Sequence, residues 1–188
     1  MHHTLFASNP TDYAMVSYRR DYTPGALYFF TLTLKNRQAS YLTTYSSLLG
    51  NAFRYVRNKA YFTTHAVVVL PDHLHVIWQL PLEDYNYSLR WRLIKTRFTQ
   101  ELIKQNVLLG KNYRGEYDLW QKRFWEHRLR DDNDVQQHMD YIHYNPVKHG
   151  YVMKPIDWQF SSIHRYIEQG VLPQNWGSDL DSSRITLR

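Results

Sequence analysis

Residues 65–80 read HAVVVLPDHLHVIWQL, and the fold turns on how this stretch divides. His65-Ala66-Val67-Val68-Val69-Leu70 is a short β-branched apolar run of the kind that forms a buried strand. Pro71-Asp72 interrupts it, since proline cannot donate to a ladder and both residues favour a break or bulge. His73 to Leu80 then makes a second extended run.

Upstream, Leu27 to Leu34 (LYFFTLTL) is a strand that follows a Pro24-Gly25 turn. Thr44 is expected to cap a helix running to about Lys59, with Leu48, Leu49, Ala52, Phe53 and Val56 on one stripe. Downstream, Pro81 to Tyr85 is a loop and Ser88 to about Gln105 a helix. Asn106 to Trp120 is a loop with two glycines, and Phe124 to Arg130 (FWEHRLR) is a fourth strand. Asp131 to Asp134 supply acidic residues and a cap for a last helix to about Tyr144, closed by Asn145-Pro146 and Gly150. The order is strand, helix, two strands, helix, strand, helix. Its first six elements match the split β-α-β-β-α-β unit, an α+β fold with an antiparallel sheet and both helices on one face. Residues 1–16 are expected to be a leader, 17–150 the domain, and 151–188 an irregular tail packed on or near it.

The chain has 188 residues, 43% of them hydrophobic, enough for one real core. No apolar run approaches the roughly 20 residues that cross a bilayer, and the start lacks the pattern of a signal peptide. With no cysteine, disulfides, thiolate nucleophiles and cysteine-bound zinc are excluded. A cytoplasmic, nucleoid-associated protein with no membrane contact is expected. The formal charge of +6 and an aromatic content of 16% suit phosphates and unpaired bases respectively.

His73-Leu74-His75 carries the first chemistry. Side chains two apart on a strand share a face, so both imidazoles can chelate one ion while Leu74 points into the core. Asp72 can orient an imidazole from behind, although neighbours along a strand usually point apart. A bare His-X-His can equally be two polar residues on a solvated sheet face, and this chain has 10 histidines. The motif gains force with a third ligand and a reaction partner.

Both are available in Met139-Asp140-Tyr141-Ile142-His143-Tyr144-Asn145-Pro146-Val147-Lys148-His149-Gly150. Tyr141 and Asn145 are four apart and stack on a helix. Laid across the histidine face, that helix would present a phenol as nucleophile and an amide oxygen as third ligand. Tyr144 is the rival nucleophile, and His138 a candidate proton shuttle. Tyr141 as a core aromatic and Asn145 as a helix stop remain the structural alternative. A residue before proline avoids the α region, which loosens the expected register of Asn145.

The strings VVVLPDHLHVIW, FWEHRLR and DYIHYNPVKHGYV together resemble the REP-associated tyrosine transposases, a branch of the single-tyrosine HUH transposases. Tyr18-Arg19-Arg20-Asp21-Tyr22, Phe29-Phe30-Thr31, Trp91-Arg92-Leu93-Ile94-Lys95 and Asp157-Trp158-Gln159-Phe160-Ser161-Ser162 are similar too. The likeness spans roughly residues 17 to 166. It implies a ferredoxin-like HUH endonuclease core that uses Mg²⁺ or Mn²⁺. The implied activity cleaves and rejoins single-stranded DNA at palindromic repeat hairpins through a 5′-phosphotyrosine. On this resemblance His73, His75 and Asn145 are the metal ligands, Tyr141 is the nucleophile, and the protein is a monomer. A non-catalytic DNA-binding regulator is the alternative, and a hydrolase in which water attacks is a third reading. Arg19, Arg20, Arg90, Arg92, Lys95, Arg97, Lys122, Arg123 and Lys148 are the candidate DNA contacts, with Arg37, Lys104, Arg128 and Arg130 as further cations nearby.

Overall fold

In the computed structural model, which describes residues 20–178, the strands are β1 (Leu27–Thr33), β2 (Thr63–Val69), β3 (His73–Gln79) and β4 (Trp125–Arg128). They form one sheet in the order β2-β3-β1-β4, and every neighbouring pair is antiparallel. This is the order of a split β-α-β unit, with β3 inserted between β1 and β2. The helices are α1 (Tyr41–Thr44), α2 (Ser46–Lys59), α3 (Tyr87–Lys104), α4 (Asp132–Lys148) and α5 (Ile163–Glu168). The expected leader, Arg19, and residues 179–188 of the tail lie outside the described residues.

Strand alternation sorts the sheet into two apolar faces. Tyr28, Phe30 and Leu32 of β1 join Leu74, Val76 and Trp78 of β3 on one face. There they meet Leu49, Ala52 and Val56 of α2 and Trp91, Ile94, Phe98 and Leu102 of α3. Trp78 and Trp91 stack at 3.8 Å in the middle of this core. The opposite face holds Phe29, Ala66, Val68 and Ile77, covered by Ile142 of α4 and by Leu129. Because both faces are covered, every residue of β3 except Gln79 is buried. That explains its nearly continuous apolar text, in which the two histidines are the polar exceptions.

Three local expectations change. Thr44 does not open a helix; it ends the single turn α1, and α2 starts at Ser46 after Tyr45, with no side-chain cap on either. Burial of Leu42 in the main core and a bond from its amide to the Pro71 carbonyl (3.2 Å) hold this extra turn in place. The last helix does not stop at Asn145-Pro146 but continues to Lys148 with Pro146 inside it. Pro146 is itself buried, and the amide of His149 still reaches the Asn145 carbonyl at 3.0 Å, so the helix resumes past the missing donor. Its start is as expected, with the Asp131 side chain accepting from the Asp134 amide.

The segment after Tyr151 is only partly irregular. It carries a 3₁₀ turn at Pro155–Asp157 and the short α5, and it lines the outer edge of β2. The Val69 amide donates to the Phe160 carbonyl at 2.9 Å, and the Ser162 amide to the Val67 carbonyl at 2.8 Å. An otherwise open sheet edge is thereby paired. At Gly25, with φ +68°, a Cβ would come 2.9 Å from the Leu82 backbone, so the turn before β1 requires glycine.

Candidate active site

His73 and His75 emerge from β3 on the α4 face, while Leu74 joins the main core. Their rings are 5.0 Å apart at 82°. Asp72 escapes the alternation that would turn it away, because it sits in the bend where the Leu70 amide donates to the His73 carbonyl at 2.8 Å. Its Oδ1 lies 2.7 Å from His73 Nδ1, and its Oδ2 pairs with Nε of Arg37 at 2.5 Å. Thr31 faces His75 in the β1–β3 register, and its Oγ1 is 2.8 Å from His75 Nδ1. Both imidazoles therefore spend Nδ1 on an orienting partner and keep Nε2 for something else, the arrangement of metal-binding histidines.

Burial lowers both histidine pKa values. At His73 the Asp72 carboxylate opposes the fall, while His75 lies well below the ordinary range with the charges of His73, His149, Lys148 and Arg37 adding to burial. Neutral imidazole is the ligating form.

Tyr141 projects from α4 onto this pair, its ring 5.1 Å from His75 and 6.0 Å from Phe29. Burial pushes its phenol pKa up, with a loose interaction with the Asn145 amide pulling the other way. The Lys148 ammonium stands 4.9 Å over the ring. Asn145, one helical turn on, is wholly buried, and among the described residues neither its Oδ1 nor its Nδ2 has a hydrogen-bond partner of standard geometry. His75 Nε2 is also buried without a partner among the described residues. Leaving such groups unpaired costs roughly 1–3 kcal/mol each, so an imidazole nitrogen and an amide oxygen orphaned beside one tyrosine fit the donor set of a divalent cation.

The rival candidates are turned elsewhere. Tyr144 is buried on the tail side of α4, where a Cβ at Gly177 would come 3.5 Å from its ring. His138 Nδ1 is 2.8 Å from the Asp134 carbonyl, and its ring stacks on His127 at 4.9 Å. His127, Asp134 and His138 have ligand atoms within 4.8 Å of one another, a second possible cation group. Its members are already bonded together, with His127 Nε2 at 2.9 Å from Asp134 Oδ2. By contrast, among the described residues His75 Nε2 and the Asn145 amide are left without a standard partner.

The basic residues divide by burial. Arg90 is withdrawn from the DNA-contact set: it is 2% exposed, and its guanidinium donates to both Asp84 oxygens and to the carbonyls of Ala60, Tyr61 and Asn86. Arg20 packs over Phe124 at 4.1 Å and donates to Ser88, and Arg97 pairs with Glu101 at 3.1 Å. The Lys95 ammonium donates to the Gln121 carbonyl at 2.8 Å, and burial lowers its pKa to about 8. Arg92, Lys122, Arg123 and Lys148 are exposed. Arg92, Lys95 and Lys122 converge with Tyr117 and Trp120 on a cavity of about 610 Å³. That cavity lies on the α3 side of the sheet, away from the histidines.

Three contributors escape sequence reading. Thr31 orients His75, but only the β1–β3 register reveals it. Arg37 holds Asp72 rather than standing free. His149, exposed at the end of α4, brings its ring to 5.1 Å from His73, and the continuation of α4 past Pro146 is what carries it there.

No protein-family model matches the chain. A Haemophilus influenzae protein assigned to the REP-associated tyrosine transposases is 47% identical over 170 residues, covering 89% of this chain and 96% of that protein. The REP-associated tyrosine transposase of Escherichia coli K12 is 42% identical over 166 residues, covering 88% and 93%. A solved structure of a REP-associated tyrosine transposase bound to a REP hairpin superposes with a TM-score of 0.78 at 41% identity, covering 93% of this chain and 98% of that one. Likeness at this level over nearly whole lengths, on the fold described above, assigns the family: this chain belongs to the REP-associated tyrosine transposases.

Proposed function

We propose that this transposase is a metal-dependent endonuclease and strand transferase that acts on single-stranded DNA at palindromic repeat hairpins. The observation that carries the reading is the pair of orphaned buried donors, His75 Nε2 and Asn145 Oδ1, beside the phenol of Tyr141. His73, His75 and Asn145 would hold Mg²⁺ or Mn²⁺. Such an ion neutralises phosphate charge and makes phosphorus more electrophilic. Hairpin DNA as the substrate is supported by the hairpin-bound relative and by the exposed cations Arg92, Lys122, Arg123 and Lys148.

In this account Tyr141 Oη gives up its proton to solvent and forms a bond to phosphorus as the bond from phosphorus to the 3′ sugar oxygen breaks. That oxygen takes up a proton from solvent in turn. The products are a 5′-phosphotyrosine ester and a free 3′-hydroxyl. The reverse attack by a 3′-hydroxyl rejoins the strand without ATP, because the ester conserves the bond. Asp72 and Thr31 fix the two imidazoles, and the Lys148 ammonium lies 4.9 Å over the Tyr141 ring.

The test incubates the protein and a labelled hairpin oligonucleotide from its own genomic neighbourhood with Mg²⁺ or Mn²⁺, followed by a denaturing gel. Cleavage that needs the metal and is lost in His73→Ala and Tyr141→Phe is the expected result. Cleavage that persists in Tyr141→Phe would favour attack by water. Binding without cleavage, with either metal, would favour a non-catalytic regulator.

A further inference from the structure

We infer that Trp125 is a stacking platform for an unpaired DNA base next to the reaction centre; the inference rests on the single-stranded substrate proposed above. Trp125 opens β4, the edge strand, and is 45% exposed. The register places it in one cross-strand row with the site: Thr31 pairs with His75 on one side and with Trp125 on the other. Two strand spacings separate the backbones of His75 and Trp125, about 10 Å, which is the span of one to two nucleotides.

The indole is also held in orientation. It lies nearly parallel to His127 (5.9 Å, 7°), and His127 lies nearly parallel to His138 (4.9 Å, 15°). Phe29, whose ring touches His75 and Tyr141, meets Trp125 edge-on at 5.6 Å. Asp134 fixes both histidines from behind. Trp125 is thus the exposed end of a three-ring stack that is pinned at its inner end to the helix bearing Tyr141. A rigid exposed indole offers a base a flat face with little entropy to lose. Arg123, exposed and two residues before it, supplies charge for the flanking phosphates.

The test measures binding by fluorescence anisotropy in the Tyr141→Phe background, which cannot form an adduct in the proposed account. Two labelled DNAs are compared: a hairpin with a four-nucleotide single-stranded foot, and the same hairpin ended flush. Trp125→Ala is expected to weaken binding of the footed hairpin about tenfold and leave the flush hairpin unchanged, and Trp125→Phe to retain most of the affinity. An abasic nucleotide at one foot position should cost the Trp125 protein that same factor and cost Trp125→Ala nothing further. Unchanged affinity in Trp125→Ala, or an equal loss for both DNAs, would overturn the inference while leaving the proposed function standing. Failure of the Trp125 protein to bind either hairpin would overturn the parent reading, and the inference with it.

Discussion

The hydroxyl of Thr31 lies 2.8 Å from Nδ1 of His75, and this contact fixes which ring nitrogen the imidazole offers to α4. With Nδ1 engaged, Nε2 is left as the ligand atom, buried and, among the described residues, without a protein partner. Thr31 is therefore a positioning residue whose importance exceeds its contribution to packing. Thr31→Val keeps the shape and suits a strand, so the fold should persist. The variant is expected to bind Mn²⁺ about 10–100-fold more weakly, as followed by electron paramagnetic resonance titration, with Thr31→Ser close to the original. Equal affinities for all three would mean that the hydroxyl does not orient the ring.

Arg90 and Arg92 are two residues apart on α3, and they should respond in opposite ways. The buried Arg90 guanidinium satisfies the Ala60 and Tyr61 carbonyls and pairs with the partly exposed Asp84. Arg90→Ala is expected to cost roughly 2–3 kcal/mol in urea unfolding while leaving the salt dependence of hairpin binding unaltered where the variant is folded. Arg92→Ala should unfold with the parent but lower the log–log salt slope of binding by about one, the signature of a lost phosphate contact. A stable Arg90→Ala protein with a shallower salt slope would reverse the assignment.

Burial brings the pKa of His143 down to about 4, with the Arg165 charge adding to the effect. Between that value and the ordinary 6.5, the unfolded chain holds a proton that the folded chain lacks, so stability falls as pH falls through this window. The full effect is roughly 3 kcal/mol and is reached below the lower value. His73, His75, His138 and His149 are lowered by burial as well and act with the same sign. In metal-free buffer Tm should decline steadily from neutral pH toward pH 4. His143→Gln, able to keep the contact to Ser162 Oγ (3.1 Å), should decline less steeply. Parallel curves would show that His143 titrates normally in the fold.

The parts of the fold and site legible in the sequence are those written in local periodicity. The alternation His73-Leu74-His75 assigned the histidines to one face and Leu74 to the core, and the four-residue spacing of Tyr141 and Asn145 stacked them on α4. Relationships between distant segments were not legible. Arg90 reads as one more surface cation on a basic helix, and its burial follows from carbonyls at the start of the α2–β2 connection that meet it only after packing. Thr31 and Trp125 lie in strings that resemble the family, but nothing in those strings places them beside His75; that depends on strand register. At Pro146 the local rule was outweighed, since a buried ring and restored bonds beyond it carry α4 on to Lys148.

The central claim, that Tyr141 rather than its neighbour Tyr144 takes up the DNA strand, is tested most directly by mapping the covalent adduct. The protein is incubated with a hairpin oligonucleotide and Mn²⁺, the adduct is trimmed with nuclease and protease, and the modified peptide is sequenced by mass spectrometry. The account predicts a phosphodeoxynucleotide on Tyr141, absent when Mn²⁺ is chelated and absent in His75→Ala. A modification on Tyr144, or cleaved DNA with no modified tyrosine, would contradict it.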